Sequence, residues 1–142
     1  MLKTGGHLIV SVPNILNIEE RFKWLFHGYT SHFKPLSREH VKGARSEFGE
    51  KVEIAMHVNA IGYSELRYSL EKCGFEVAKL YRDKPKSHLW LYWPIVALIR
   101  LIGYLTPDRK RRERWTEELQ SDEILLGGNT LIVHALKRET PI

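Results

Sequence analysis

Seven histidines, His7, His27, His32, His40, His57, His88 and His134, are the side chains of this 142-residue sequence that titrate nearest neutral pH. A helical zinc site needs two of them four residues apart with a glutamate close by, and no pair has that spacing. The single cysteine, Cys73, removes multi-cysteine metal sites and intrachain disulfides. Metal ligation is therefore not the expected chemistry. His32 in TSHFKP and His57 in MHVNA stand in loop-like contexts, where a neutral imidazole can take a proton from a hydroxyl group. A loop histidine more often simply bonds backbone. Asn14 and Asn17, in VPNILN after an apolar run, can both donate and accept hydrogen bonds and so orient a substrate, although asparagine there also serves as a turn residue.

A second kind of chemistry is electrostatic. Between Arg82 and Arg114 stand nine basic residues against three acidic ones, so the net charge of +5 belongs to one segment. Four cations, Arg109, Lys110, Arg111 and Arg112, are consecutive and follow an apolar run, LWLYWPIVALIRLIGYL, that carries Trp90 and Trp93. Read as a helix over 89–105, that run is about 26 Å long, just short of a bilayer core of about 30 Å. Pro94, Arg100 and Gly103 together argue against a span. Two readings remain: a helix packed over a substrate pocket, or an interfacial helix whose basic neighbours meet an anionic membrane surface. Aromatic and basic residues are not interleaved, which argues against nucleic acid.

The elements that would position these groups follow from pattern. Lys3-Thr4-Gly5-Gly6 has the chemistry of a helix end followed by a glycine turn, and the apolar run after it predicts a strand near 7–12. Asn17 predicts an N-cap for a helix over Ile18 to His27, with Phe22, Leu25 and Phe26 on one face and Gly28 as its stop. Between Tyr29 and Ala60 the pattern predicts loop with a short strand near Val52 to Met56. GYSELRYSLEKCGFEVAKLYRD predicts a helix capped by Ser64, ended by Gly74 and followed by a strand near 75–81. DRKRRERWTEEL reads as an exposed helix, and GGNTLIVHALKRE as a turn and a strand near 130–137. With 43% hydrophobic and 27% charged residues, the composition is that of a folded globular protein. No signal peptide is evident, and a cytoplasmic location, with or without membrane association, is expected.

Taken in order, LKTGGHLIVSVPN, YSELRYSLEKCGFEV and TLIVHALK resemble the C-terminal half of class I S-adenosylmethionine-dependent methyltransferases, in particular the small-molecule group. They correspond to that family's fifth strand, its sixth strand with the preceding helix, and its seventh strand; Thr4 stands where the family usually has proline. The resemblance implies an α/β, Rossmann-like half-fold: about three strands in a mixed sheet, the last antiparallel and lying between the other two. It implies one partial domain over 1–142, with a helical, apolar then basic insertion over 83–128. S-adenosylmethionine is the implied cofactor of the complete family protein. Its glycine-rich turn and acidic contact lie upstream of the matched motifs, so no residue here is assigned to the cofactor or to a metal, and this chain alone is not expected to bind either.

The resemblance places Asn14, Asn17, His32 and His57 on the substrate side, beyond the C-terminal ends of the strands. Two functions are then open. One is the substrate-side part of a methyltransferase acting on a small or lipid-like acceptor, inactive alone, for which Met1 is an internal methionine, the start of a truncated reading frame or an artificial boundary. The other is a non-catalytic membrane-surface or protein-interaction module derived from the same fold. In either case the first strand's outer edge is expected to find a partner, either an upstream half or a second copy.

Overall fold

The computed structural model describes residues 2–34, 59–85 and 89–139. In chain order its elements are β1 (His7–Pro13), α1 (Ile18–His27), α2 (Tyr63–Lys72), β2 (Phe75–Arg82), α3 (Leu89–Leu105), α4 (Asp108–Glu113), α5 (Thr116–Leu119), α6 (Asp122–Leu125) and β3 (Thr130–Lys137). The expected short strand near Val52 to Met56 lies outside the described residues, as do His40, His57 and His88.

The sheet has the order β1-β3-β2. β3 runs antiparallel to both neighbours, so β1 and β2 point the same way without touching. The last strand lies between the other two and antiparallel to both, as expected; among the described residues the sheet is therefore antiparallel throughout rather than mixed. On β3, Leu131, Val133 and Ala135 alternate inward and are buried. Leu8, Val10 and Val12 face the same way on β1. On β2 a bulge at Ala78 shifts the register between Val77 and Lys79. The extra residue keeps Val77 and Leu80, three apart in sequence, on that one face. Tyr63 and Leu70 of α2 complete this core.

Register fixes which end of the sheet carries the rest. Pro13 pairs with Thr130 and Arg82 with Leu131, so α1 and the whole helical excursion from β2 to β3 spring from one end, where β1 and β2 finish. An isolated bridge between Pro85 and Gly127 closes the excursion at its base. A second core, of Ile18, Val96 and Leu125 with Phe22, Tyr92 and Ile99 packed against it, joins α1, α3 and α6 there. The four-residue α6 belongs to both cores: Ile124 sits in the sheet cluster and Leu125 in the α1–α3 cluster.

Two local expectations are corrected. The N-cap of α2 is Gly62 rather than Ser64, and Gly62 provides no side-chain cap bond. The stretch after Pro107 is two short helices instead of one, because Trp115 adopts a left-handed φ of 48° and turns its ring toward the sheet core. The apolar stripe of α1 is packed only at its start: Ile18 is buried and Phe22 packs in the second core, whereas Leu25 and Phe26 are each 73% exposed, and Glu20 is buried on the other side of the helix.

Candidate functional site

Asn14 and Asn17 lie where β1 ends, and both are buried. Asn14 Nδ2 donates to the Ile124 carbonyl at 2.9 Å, and its Oδ1 accepts from the Leu16 N–H at 3.3 Å. Asn17 Nδ2 donates to the carbonyls of Asn14, at 2.9 Å, and Gly128, at 3.1 Å. Its Oδ1 accepts the Glu20 N–H at 3.0 Å, the N-cap bond expected for α1. The asparagines therefore clamp the loop after β1 to the turn before β3. Gly127 is what allows the close approach: a Cβ there would stand 2.1 Å from the Glu123 carbonyl oxygen and 3.0 Å from Asn14 Nδ2.

One turn into α1 the site holds a buried carboxylate. Lys23 donates to Glu20 Oε1 at 2.8 Å and to Ser31 Oγ at 2.6 Å. Ser31 in turn gives its N–H to Glu20 Oε2 at 2.6 Å and its hydroxyl to Oε1 at 2.8 Å. Burial alone would push the Glu20 carboxyl up, but the Lys23 ammonium and the two Ser31 donors outweigh it and hold the group below the ordinary glutamate value. The ionised carboxylate thus fixes the backbone at Ser31, immediately before His32. Beside it, Thr30 is buried, and its Oγ1 has no hydrogen-bond partner among the described residues. Such an orphan hydroxyl costs about 1–3 kcal/mol unless something bonds it. Arg21, its basicity lowered by burial, spans from the Leu16 carbonyl at 2.7 Å to the Leu119 carbonyl at 2.9 Å, tying α1 to α5.

Glu20, Lys23, Thr30 and Ser31 carried no motif. Glu20 stands about 200° round α1 from Ile18, off the apolar stripe, so the sequence pattern gives no sign of its burial. His32 is half-buried next to this network, and His57 lies outside the described residues. The two strand histidines do meet: His7 and His134 stack with centroids 5.0 Å apart, and His7 Nδ1 lies 2.8 Å from His134 Nε2. They sit on the sheet face opposite the core, with Ile9. Among the described residues no three of His, Cys, Asp and Glu gather as a metal cluster.

A different network holds the excursion to α2. Tyr63 donates its hydroxyl to Glu118, and Arg67 donates to Glu118, to Tyr63 Oη at 3.2 Å and to Glu71 at 2.9 Å. Burial first, and the Glu118 carboxylate second, raise the Tyr63 phenol far above its ordinary value, so it remains a donor. The adjoining cavity, about 290 Å³ and lined by Arg67, Arg111, Arg112 and Trp115, offers few free charges: Arg67 and Arg111 are both ion-paired.

The basic and aromatic candidates separate. Trp90 and Trp93 are 71% and 59% exposed on α3. Arg109, Lys110 and Arg112 are exposed on α4, whereas Arg111 is half-buried between Asp108, at 2.9 Å, and Glu117, at 3.2 Å. No helix among the described residues is long and apolar enough to cross a membrane. No protein-family model matches the chain, and no curated protein matches its sequence.

Proposed function

We propose that this chain is the acceptor-side part of an S-adenosylmethionine-dependent methyltransferase, transferring a methyl group to a small or lipid-like acceptor when joined to a cofactor-binding half. The observation that carries the reading is the strand order: β3 lies antiparallel between two co-directional strands, the arrangement that the resembled family has in its last three strands. Three further features support it. β1 and β2 end on the same side, and α1, the Glu20 network and the excursion all rise from that end, where α/β folds receive ligands. The sheet face carrying His7, Ile9 and His134 is open, with Ile9 70% exposed, as a missing covering layer would leave it. β1 also has one side unpaired among the described residues, in keeping with a further strand or a second copy pairing there.

In this reading Glu20 is a positioning residue that fixes Ser31 and so the approach of His32. His32, next to the backbone that Glu20 fixes, takes the proton from an acceptor hydroxyl.

The test is to read the gene upstream of Met1 and express the longest in-frame product. Calorimetric titration with S-adenosylmethionine should show binding by a product that adds a strand and glycine-rich turn, with none by the 142-residue chain. An extended product that neither binds the methyl donor nor methylates any acceptor would overturn the reading, as would binding tighter than about 100 μM, near 5.5 kcal/mol, by the 142-residue chain itself.

A further inference from the structure

Helix α3 is apolar on every side, yet the body covers only one narrow stripe of it. Tyr92, Val96, Ile99 and Gly103 turn inward, at the spacing of a single helical seam. The one charged residue of α3, Arg100, is drawn inward to Asp122 at 2.5 Å, which leaves the outward face with no charge at all. Gln120 fastens the same side, donating to the Ile99 carbonyl at 3.0 Å across the space that Gly103 leaves open.

The outward face continues onto α1. Phe22 touches Tyr92 at 5.8 Å and stacks on Phe26 at 6.1 Å between ring centroids, so the exposed end of α1 abuts α3. Phe26, Trp90, Trp93 and Tyr104 are each between 59% and 77% exposed. At roughly 150–250 Å² per aromatic side chain these four alone present on the order of 500 Å², within the range of the largest apolar patch of a monomer. Leu98, Leu101 and Ile102 add to it, each more than half exposed.

The rim of the patch names its occupant. α4 begins three residues after α3 ends, next to the exposed Tyr104 and Leu105, and its Lys110 and Arg112, with Arg114 just beyond, form no ion pair among the described residues. The nearby carboxylates are already engaged: Asp108 and Glu117 bind Arg111, and Glu113 binds Arg109. An uncharged aromatic face followed directly in the chain by unneutralised cations matches a surface that is apolar beneath a layer of negative charge.

We propose that this face seats on an anionic membrane surface, with the outward side of α3 and the end of α1 in the headgroup–acyl boundary and Lys110, Arg112 and Arg114 against lipid phosphates. The helix lies on the bilayer rather than crossing it, because its inner seam stays packed on Ile18 and Leu125. This docking is independent of methyl transfer and is tested without it.

The experiment is flotation of the 142-residue chain with vesicles of phosphatidylcholine, with and without an equal part of phosphatidylglycerol. The chain should float with the anionic vesicles and bind the neutral ones at least about tenfold more weakly, and the difference should shrink in high salt. Trp90→Glu with Leu101→Glu, and separately Lys110→Glu with Arg112→Glu, should each lower anionic-vesicle affinity by at least about tenfold while the circular dichroism is unchanged. Equal flotation of the variants, or failure of the native chain to float, overturns the proposal. So does a dimer in sedimentation velocity that the Trp90→Glu, Leu101→Glu variant dissolves in the absence of vesicle binding, which would assign the face to a second copy.

Discussion

The sheet with α2 and the arch formed by α1 and α3 solve the same problem in opposite ways. In the sheet body each apolar side chain of β3 that points inward is buried, and the polar groups beside it are paired, as in the Tyr63–Arg67–Glu118 network. In the arch the buried apolar seam is narrow, a carboxylate is buried on the other side of α1, and many large apolar side chains are left exposed. Apolar surface is therefore covered in one region and left bare in the other. Burying Glu20 while exposing Leu25 and Phe26 costs stability, which points to a surface used for something other than holding the fold.

The largest effects should come from α6, the one element shared by both regions. Ile124→Ala and Leu125→Ala each remove a fully buried side chain and should cost about 2–5 kcal/mol in urea unfolding. Hydrogen exchange should then separate them, with Ile124→Ala loosening the strands and Leu125→Ala loosening α1 and α3. Loss of protection in the same amides for both variants would erase the distinction between the regions.

A smaller effect is expected at Asn17. Replacing it by alanine removes an N-cap and two buried donor bonds and should cost about 1–3 kcal/mol. The residue type and its place before a helix were readable in the sequence. Its second role was not, because Gly128 lies 111 residues away. The same limit runs through the molecule. Strand positions, the α1 cap and the α3 bounds were legible, because caps, β-branched runs and a continuous apolar stretch are local signals. The bulge at Ala78, the left-handed Trp115 and the burial of Glu20 were hidden, since each is imposed by packing against a distant element. The central, antiparallel place of β3 was expected from the family resemblance alone, because a strand's own residues do not encode which strands become its neighbours.

The acid response sharpens the contrast further. Because the Glu20 carboxyl is held below its ordinary value of 4.5, the network stabilises the arch fully above that pH, and the contribution is lost as pH falls through the lower folded-state value. The urea midpoint should therefore drop on acidification below about pH 4.5, and Glu20→Gln should be less stable at pH 7 with a flatter response. A variant that keeps the full acid dependence would place its origin elsewhere. The least effect is expected on the outer face: Leu98→Gln or Leu101→Gln should change stability by no more than about 0.5 kcal/mol, because both side chains are more than half exposed.

The four tryptophans divide between the two regions, which allows a direct reading of their difference. Trp24, Trp90 and Trp93 belong to the arch, and Trp115 packs against the sheet core. Single-tryptophan variants retaining Trp93 or Trp115, with phenylalanine at the other three positions, can be mixed with anionic vesicles containing lipids brominated along the acyl chain. The account predicts strong quenching and a blue shift for Trp93 and an unchanged spectrum for Trp115. Unquenched Trp93 in the presence of those vesicles, or equal quenching of both, would contradict the assignment of the arch as the molecule's membrane-facing surface.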